Sequence, residues 1–126
     1  MVKDDLYYTE NHEWVQFNDD SALVGITDYA QNELGDVVFV ELPEKELKLE
    51  QDDVLATIEA VKAVEEIYSP VSGVVLESNL DLEDNPELIN SSPYEEGWIA
   101  KIELDNKEKD MKNLISADEY RELIGG

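Results

Sequence analysis

Short stretches of alternating and β-branched residues recur along this chain, and clusters of turn-forming residues separate them. These strand patterns cover residues 13–17, 21–27, 36–42, 53–59, 64–68, 74–76 and 98–104. A short strand must bury one face against other strands, so many strands at short spacing favour a sandwich or a barrel. The stretch 36–42 is almost continuously apolar, which predicts a well-buried strand.

Helical patterns are confined to two places. The first helix is predicted to begin at Asp28 as its N-cap, with Gln31 in the position of a capping-box partner, and to end at Gly35. The second is predicted at the C-terminus, where residues 116–119 fit a capping box and residues 125–126 are glycines that end the pattern. Residues 77–97 are predicted to be irregular. The chain is therefore predicted to be mainly β with a short internal helix and a C-terminal helix.

Length and charge limit the possible functions. With 126 residues, the chain is expected to form a single domain over residues 1–126. The net charge of −23 argues against binding nucleic acid or an anionic membrane, and it favours a monomer whose partners present basic surfaces. The same acidity is also consistent with a purely solubilising role. No apolar run approaches membrane-spanning length and no signal or transit pattern begins the chain, so a cytoplasmic protein is expected.

No pattern for catalysis or metal binding is present in the sequence. Cysteine is absent and His12 is the only histidine, so a disulfide, a thiolate site and a multi-histidine metal site are all excluded. A packed or solvated imidazole is the expected state of His12. The glycines form neither a dinucleotide-binding nor a Walker motif. The chain is therefore predicted not to be an enzyme in its own right.

Lys62 differs from the other lysines, most of which lie in charged connections. It falls between the strand patterns 53–59 and 64–68, among the small or apolar residues Ala60, Val61 and Ala63. This placement predicts a hairpin turn at residues 60–63 that is exposed and more mobile than its strands. A rigid pair of strands would present the lysine amine to a modifying enzyme. From composition alone, an ordinary turn lysine is the better-supported alternative.

Six short motifs follow one another between residues 12 and 98. They are residues 12–15 (HEWV), 25–31 (GITDYAQ), 34–43 (LGDVVFVELP), 58–63 (IEAVKA), 69–73 (SPVSG) and 88–98 (LINSSPYEEGW). Their order resembles that of the glycine cleavage H-protein family, and residues 58–63 resemble the E-S-V-K-A lipoylation site of that family. One such motif would be weak evidence, but several in the same order make the resemblance specific.

The resemblance implies a lipoyl/biotinyl-type flattened barrel-sandwich of antiparallel sheets, with lipoate amide-linked to Lys62. It implies a carrier in glycine catabolism and one-carbon metabolism. The carrier takes an aminomethyl group from glycine decarboxylase (P protein) to an aminomethyltransferase (T protein), and electrons to dihydrolipoamide dehydrogenase (L protein). It also implies a lipoate ligase or octanoyltransferase as the modifying enzyme. A bacterial cytoplasmic monomer is expected.

The resemblance further implies a cleft that shields the loaded arm. Glu13 and Glu66 match acidic positions associated with that cleft, and Glu33 occupies a helix position that is histidine in many relatives. The first helix is therefore expected to lie near the hairpin. Ala60 replaces the serine that usually precedes the Val-Lys pair, a small change that should not block lipoylation. Glu33 could hold an aminomethyl ammonium or could be a solvated residue on the helix surface.

The sequence leaves three alternatives to this function. An H-like protein could donate lipoate to other lipoyl domains instead of serving glycine cleavage. An acidic adaptor with the same fold would never use Lys62. A biotin carrier is disfavoured, because such sites usually read M-K-M and lack the HEWV and GITD blocks. The mass of the intact protein separates these possibilities.

Overall fold

The computed structural model describes residues 2–125. Met1 and Gly126, the latter part of the predicted helix stop, lie outside the described residues. The strands are β1 (Tyr7–Tyr8), β2 (Glu13–Asn18), β3 (Ser21–Ile26), β4 (Val37–Glu41), β5 (Lys48–Leu49), β6 (Val54–Ala60), β7 (Val64–Tyr68), β8 (Gly73–Ser78) and β9 (Ala100–Leu104). The helices are α1 (Asp28–Leu34), α2 (Asp81–Asp84), α3 (Leu88–Ser91), α4 (Lys107–Met111) and α5 (Ala117–Leu123).

The strands form two antiparallel sheets. The 6-stranded sheet has the order β1-β2-β3-β9-β8-β5, and the 3-stranded sheet has the order β4-β6-β7. Neither sheet closes into a barrel among the described residues, and every strand pair is antiparallel. The prediction of a mainly β fold of antiparallel sheets with a short internal helix and a C-terminal helix is confirmed.

The core consists of two groups of buried side chains. The larger group is mostly aliphatic and is drawn from both sheets, and the smaller, more aromatic group lies under α5. Trp14 belongs to the smaller group, and its indole N–H donates a hydrogen bond to the carbonyl of Pro93 at 3.0 Å. Trp98 was expected within a strand, but it precedes β9 and is only half-buried. Trp14 is therefore fully buried in this part of the core, and Trp98 packs against it from the edge.

The expectation that residues 36–42 form a well-buried strand is wrong for three of the five residues of β4. Val37 and Val40 are buried, whereas Val38 and Phe39 are 54% and 49% exposed. β4 is an edge strand of the smaller sheet, and its pairing with β6 shifts between Val37 and Phe39. Such a bulge reorients the side chains next to it. Apolar composition does not reveal this local change of register.

Both predicted helices are present, with one correction to their capping. Thr27 is the N-cap of α1, because its extended backbone lets its hydroxyl accept a hydrogen bond from the N–H of Ala30. Asp28, the predicted cap, instead accepts a hydrogen bond from the side chain of Gln31 at 2.9 Å. The stop at Gly35, with φ 82°, and the capping box at Ser116 of α5 are as predicted. The segment 77–97 was expected to be irregular but contains α2 and α3.

Asn90 of α3 fixes α1 relative to the smaller sheet. Its side-chain oxygen accepts a hydrogen bond from the N–H of Val37 at 2.9 Å. Its side-chain nitrogen donates to the Gln31 side chain at 3.0 Å and to the carbonyl of Gly35 at 2.9 Å. Removing any one of these partners would leave a partly buried polar group unsatisfied. The position of α1 beside the β6–β7 hairpin therefore rests on a specific polar network.

Candidate functional site

Lys62 lies in the turn between β6 and β7 and is exposed. The N–H of Ala60 donates to the carbonyl of Ala63 at 2.8 Å, which closes the turn, and the N–H of Val61 donates to the carbonyl of Asp36 at 3.0 Å. Within residues 2–125, no ion pair involves Lys62. Ala60 is buried, so the expectation that all of residues 60–63 are exposed is wrong at that position. The backbone of the turn is held while the lysine side chain is presented to solvent.

A cleft of about 500 Å³ lies beside this hairpin. Glu13 at the start of β2, Glu33 on α1 and Glu66 on β7 all line it, as does Ala63 of the turn. Its apolar lining comes from Ile26, Ala30, Leu34 and Ile67. The three acidic residues taken from the sequence, which lie far apart along the chain, therefore border one cavity next to the lysine turn.

Glu13 is the buried carboxyl of this cleft, with a side chain that is only 2% exposed. One oxygen accepts a hydrogen bond from the Thr9 hydroxyl at 2.6 Å, and the other faces the N–H of Tyr68 at 3.4 Å. Burial outweighs these hydrogen bonds and raises the pKa of Glu13 to about 7. The carboxyl is therefore poised to change charge near neutral pH.

His12 also lines the cleft, and its other contacts lead towards the C-terminal helix. Its Nδ1 lies 2.8 Å from the hydroxyl of Tyr120, which is also 2.7 Å from the hydroxyl of Thr27. Burial lowers the pKa of His12, against an opposing effect of the Glu33 carboxylate. The expected packed imidazole is thus present, and it links the cleft to α5 and to the N-cap of α1.

Glu33 is exposed at the rim, on the same helix as Tyr29. Its carboxylate interacts with the Tyr29 hydroxyl and thereby raises the pKa of Tyr29. The Tyr29 ring in turn lies 4.7 Å from the ring of His12, measured between centroids. Glu33 is therefore both solvated and in contact with the cleft.

Sequence reasoning missed Glu65, which also lines the cleft. Side chains alternate between the two faces of a strand, so Glu65 shares a face with buried Ile67, and Glu66 shares the other face with Val64. Strand alternation along β7 was the available signal for Glu65. The motif comparison drew attention only to Glu66.

Together these groups can present a primary amine on a closed turn and accept a cation in a partly apolar, acidic cavity.

Among residues 2–125, no cluster of three or more histidine, cysteine or acidic side chains has the arrangement of a metal site. Across the same residues, every helix is too short or too polar to span a bilayer.

Several known proteins resemble this chain in sequence or in structure. A family model described as "Glycine cleavage H-protein" matches residues 6–125. The chain is 51% identical to the glycine cleavage system H protein of Staphylococcus carnosus, over 98% of each chain. It is 55% identical to the probable glycine cleavage system H protein of Thermococcus kodakarensis, over 98% of this chain and 92% of that protein. The crystal structure of a glycine cleavage system H protein from Mycobacterium marinum superposes with a TM-score of 0.90 at 31% identity, covering 99% of this chain and 100% of the other.

Proposed function

The chain belongs to the glycine cleavage H-protein family, and on this premise we propose that it is a lipoyl carrier of glycine cleavage with lipoate attached to Lys62. The observation that carries the proposal is the exposed Lys62 amine on a closed hairpin, next to an acidic cleft of about 500 Å³. A carrier needs an accessible attachment point on a rigid base, and this hairpin offers one.

The residues present fit a lipoyl group. Its aliphatic chain and dithiolane ring are apolar, and Ile26, Leu34 and Ile67 supply apolar lining beside the turn. The cleft volume lies within the range of sites that hold small organic ligands. When bound, the group would supply a disulfide that accepts the aminomethyl unit and electrons and is later reoxidised.

The role of this chain is to bind and shield the cationic amine of the carried unit. Glu13, Glu33 and Glu66 can each accept a hydrogen bond from an ammonium group, and charge-assisted hydrogen bonds of this kind are the stronger class. Glu13 carries a proton for part of the time at neutral pH, because burial raises its pKa to about 7. A cation beside it would favour the carboxylate, so Glu13 would release its proton to solvent as the amine enters.

The proposed partners are glycine decarboxylase, the aminomethyltransferase, dihydrolipoamide dehydrogenase and the enzyme that attaches lipoate. A tether on Lys62 raises the effective concentration of the carried group at each partner in turn. The net charge of −23 supports partners with basic docking faces and disfavours self-association. We further propose that residues 1–126 act as a single domain and as a monomer in the bacterial cytoplasm. No catalytic group is assigned to this chain.

The substitution Lys62→Arg tests the proposal, with Lys48→Arg as a matched control at another exposed lysine. Lys62→Arg should abolish glycine-dependent carbon dioxide release in a mixture reconstituted with glycine decarboxylase, whereas Lys48→Arg should retain it. The free energy of unfolding should change by less than about 0.5 kcal/mol in both variants, because both side chains are exposed. Full activity of Lys62→Arg would refute the proposal. Lipoylation of Lys62 without activity would instead favour the role of lipoyl donor.

A further inference from the structure

Exposed apolar side chains cluster around the lysine turn. Val38, Phe39, Val61 and Val64, here called the hairpin patch, are 54%, 49%, 71% and 62% exposed. Large apolar residues that are exposed singly need no explanation, but a contiguous group of them marks an interaction site.

The pairing of the strands brings Phe39 and Val64 to one face of the smaller sheet. Phe39 and Val64 both pair with Glu59 of the central strand β6, so they lie on either side of it in one cross-strand row. The hydrogen bond from the N–H of Val61 to the carbonyl of Asp36 holds the turn against the start of β4. The hairpin patch thus flanks Glu59 and reaches from the edge strand to the residue that precedes Lys62.

The opposite face of the same strands is part of the core. Val40 and Ile58 form the adjacent pair in the β4–β6 ladder, and both are at most 3% exposed. The alternation of a strand therefore accounts for one buried face but does not require an apolar outer face. β4 is also an edge strand, which a chain lacking a partner would protect with charged residues.

Acidic residues surround the hairpin patch. Glu59 lies in its cross-strand row, and Glu41 and Glu66 flank Thr57 in the next outward row. Lys62 is the only cation in the turn or on β4, β6 and β7. A partner protein that fits this surface would present an apolar groove surrounded by basic residues.

We propose that the hairpin patch is the docking surface for the enzyme that acylates Lys62. The inference rests on the proposed function and names the partner of that site. An acylating enzyme must bring its acyl carbonyl to within about 3.5 Å of the Lys62 amine, so it has to contact the residues that flank the lysine. An enzyme that acts on the far end of the arm can dock anywhere within the reach of the arm.

The reaction at this surface is amide formation. The neutral amine of Lys62 attacks the carbonyl carbon of an octanoyl or lipoyl adenylate, and a carbon–nitrogen bond forms. The bond between the acyl carbon and the phosphate oxygen breaks, AMP leaves with the electron pair, and the amine nitrogen gives up a proton to solvent. The hairpin patch contributes binding and orientation only.

Substitutions by threonine test the docking surface, since threonine is tolerated in strands and nearly matches valine in shape. The test variants are Phe39→Thr, Val61→Thr and Val64→Thr, and the control is Val54→Thr. Val54 lies at the far end of β6 and is 44% exposed. The probe is a purified bacterial lipoate ligase with ATP and octanoate, and intact mass reports the number of acyl groups per chain.

We expect each test variant to lower kcat/KM for acylation about fivefold to tenfold, mainly through a higher KM, and the control to match the wild type. Val61 lies outside the strand ladder, so its variant keeps the test informative if a strand variant unfolds. Equal acylation of all variants would overturn the docking proposal and leave the proposed function intact. Failure to acylate the wild type would overturn both. Unchanged acylation with impaired use of the fully loaded variants by glycine decarboxylase would assign the patch to that enzyme and refute the proposal.

Discussion

Glu13 gives the most informative single perturbation of the cleft. Both groups that face its carboxyl, the Thr9 hydroxyl and the Tyr68 N–H, act as hydrogen-bond donors, and the side chain is 2% exposed. The substitution Glu13→Gln keeps the shape of the side chain and removes its titration. One oxygen is replaced by an N–H₂ group that must face a donor, so we expect a pH-independent cost of about 1 kcal/mol.

The titration of Glu13 has a larger effect on the free energy of unfolding than this pH-independent cost. The pKa of Glu13 lies at about 7 in the folded chain, against an ordinary value of 4.5. This separation corresponds to about 3 kcal/mol of folding free energy. The folded chain keeps the proton over a range of pH in which the unfolded chain has released it, so this contribution to stability is complete below pH 4.5 and is lost as pH rises through about 7.

Urea unfolding measured by tryptophan fluorescence at pH 5 and pH 8 tests this reasoning. Other carboxyl groups titrate in both proteins, so the quantity of interest is the free energy of unfolding of the wild type minus that of Glu13→Gln. We expect this difference to fall by about 2–3 kcal/mol between the two pH values, because part of the full contribution is already lost at pH 5. A constant difference would show that Glu13 titrates at an ordinary pKa in the folded chain and would refute the reasoning about its burial.

Three further predictions concern the cleft and the surface. The proton resonances of His12, the only imidazole, should report a pKa below 6.5 that falls further in Glu33→Gln, because the Glu33 carboxylate opposes the effect of burial; an identical titration in both proteins would contradict this. Tyr120→Phe should lower the free energy of unfolding by about 1–3 kcal/mol in urea titrations, since its buried hydroxyl contacts His12 and Thr27; an unchanged value would show that these contacts are not stabilising. The kcat/KM of glycine decarboxylase for the loaded carrier should fall as ionic strength rises to about 0.15 M, because salt screens the charge of −23; a flat profile would indicate that the acidity is only solubilising.

Periodicity located most of the strands because alternating and β-branched residues are typical of strands. The register of β2 with β3, from Glu13 opposite Ile26 to Asn18 opposite Ser21, follows from the short turn that joins them. The prediction that β4 is well buried failed because local composition does not define exposure. Val38 and Phe39 have the composition of buried residues, and their exposure depends on a bulge and an edge position that only the assembled sheet defines.

The candidate site was likewise predictable only in part from the sequence. The local pattern around Lys62 indicated a hairpin, and motif resemblance drew attention to Glu13, Glu33 and Glu66. The buried state of Glu13 and the contact between His12 and Tyr120 join residues that are distant in sequence. The cleft therefore depends on how α1, β2 and β7 meet, which local patterns do not specify.

The position of the lipoyl group tests the central claim most directly. The protein would be produced in a bacterium supplied with lipoate, weighed intact and then digested for peptide mapping. We expect one lipoyl group per chain, on the peptide that contains Lys62, and none on the Lys62→Arg variant made in the same cells. Lipoate on another lysine, or an unmodified wild type in cells that lipoylate a second carrier, would contradict the account.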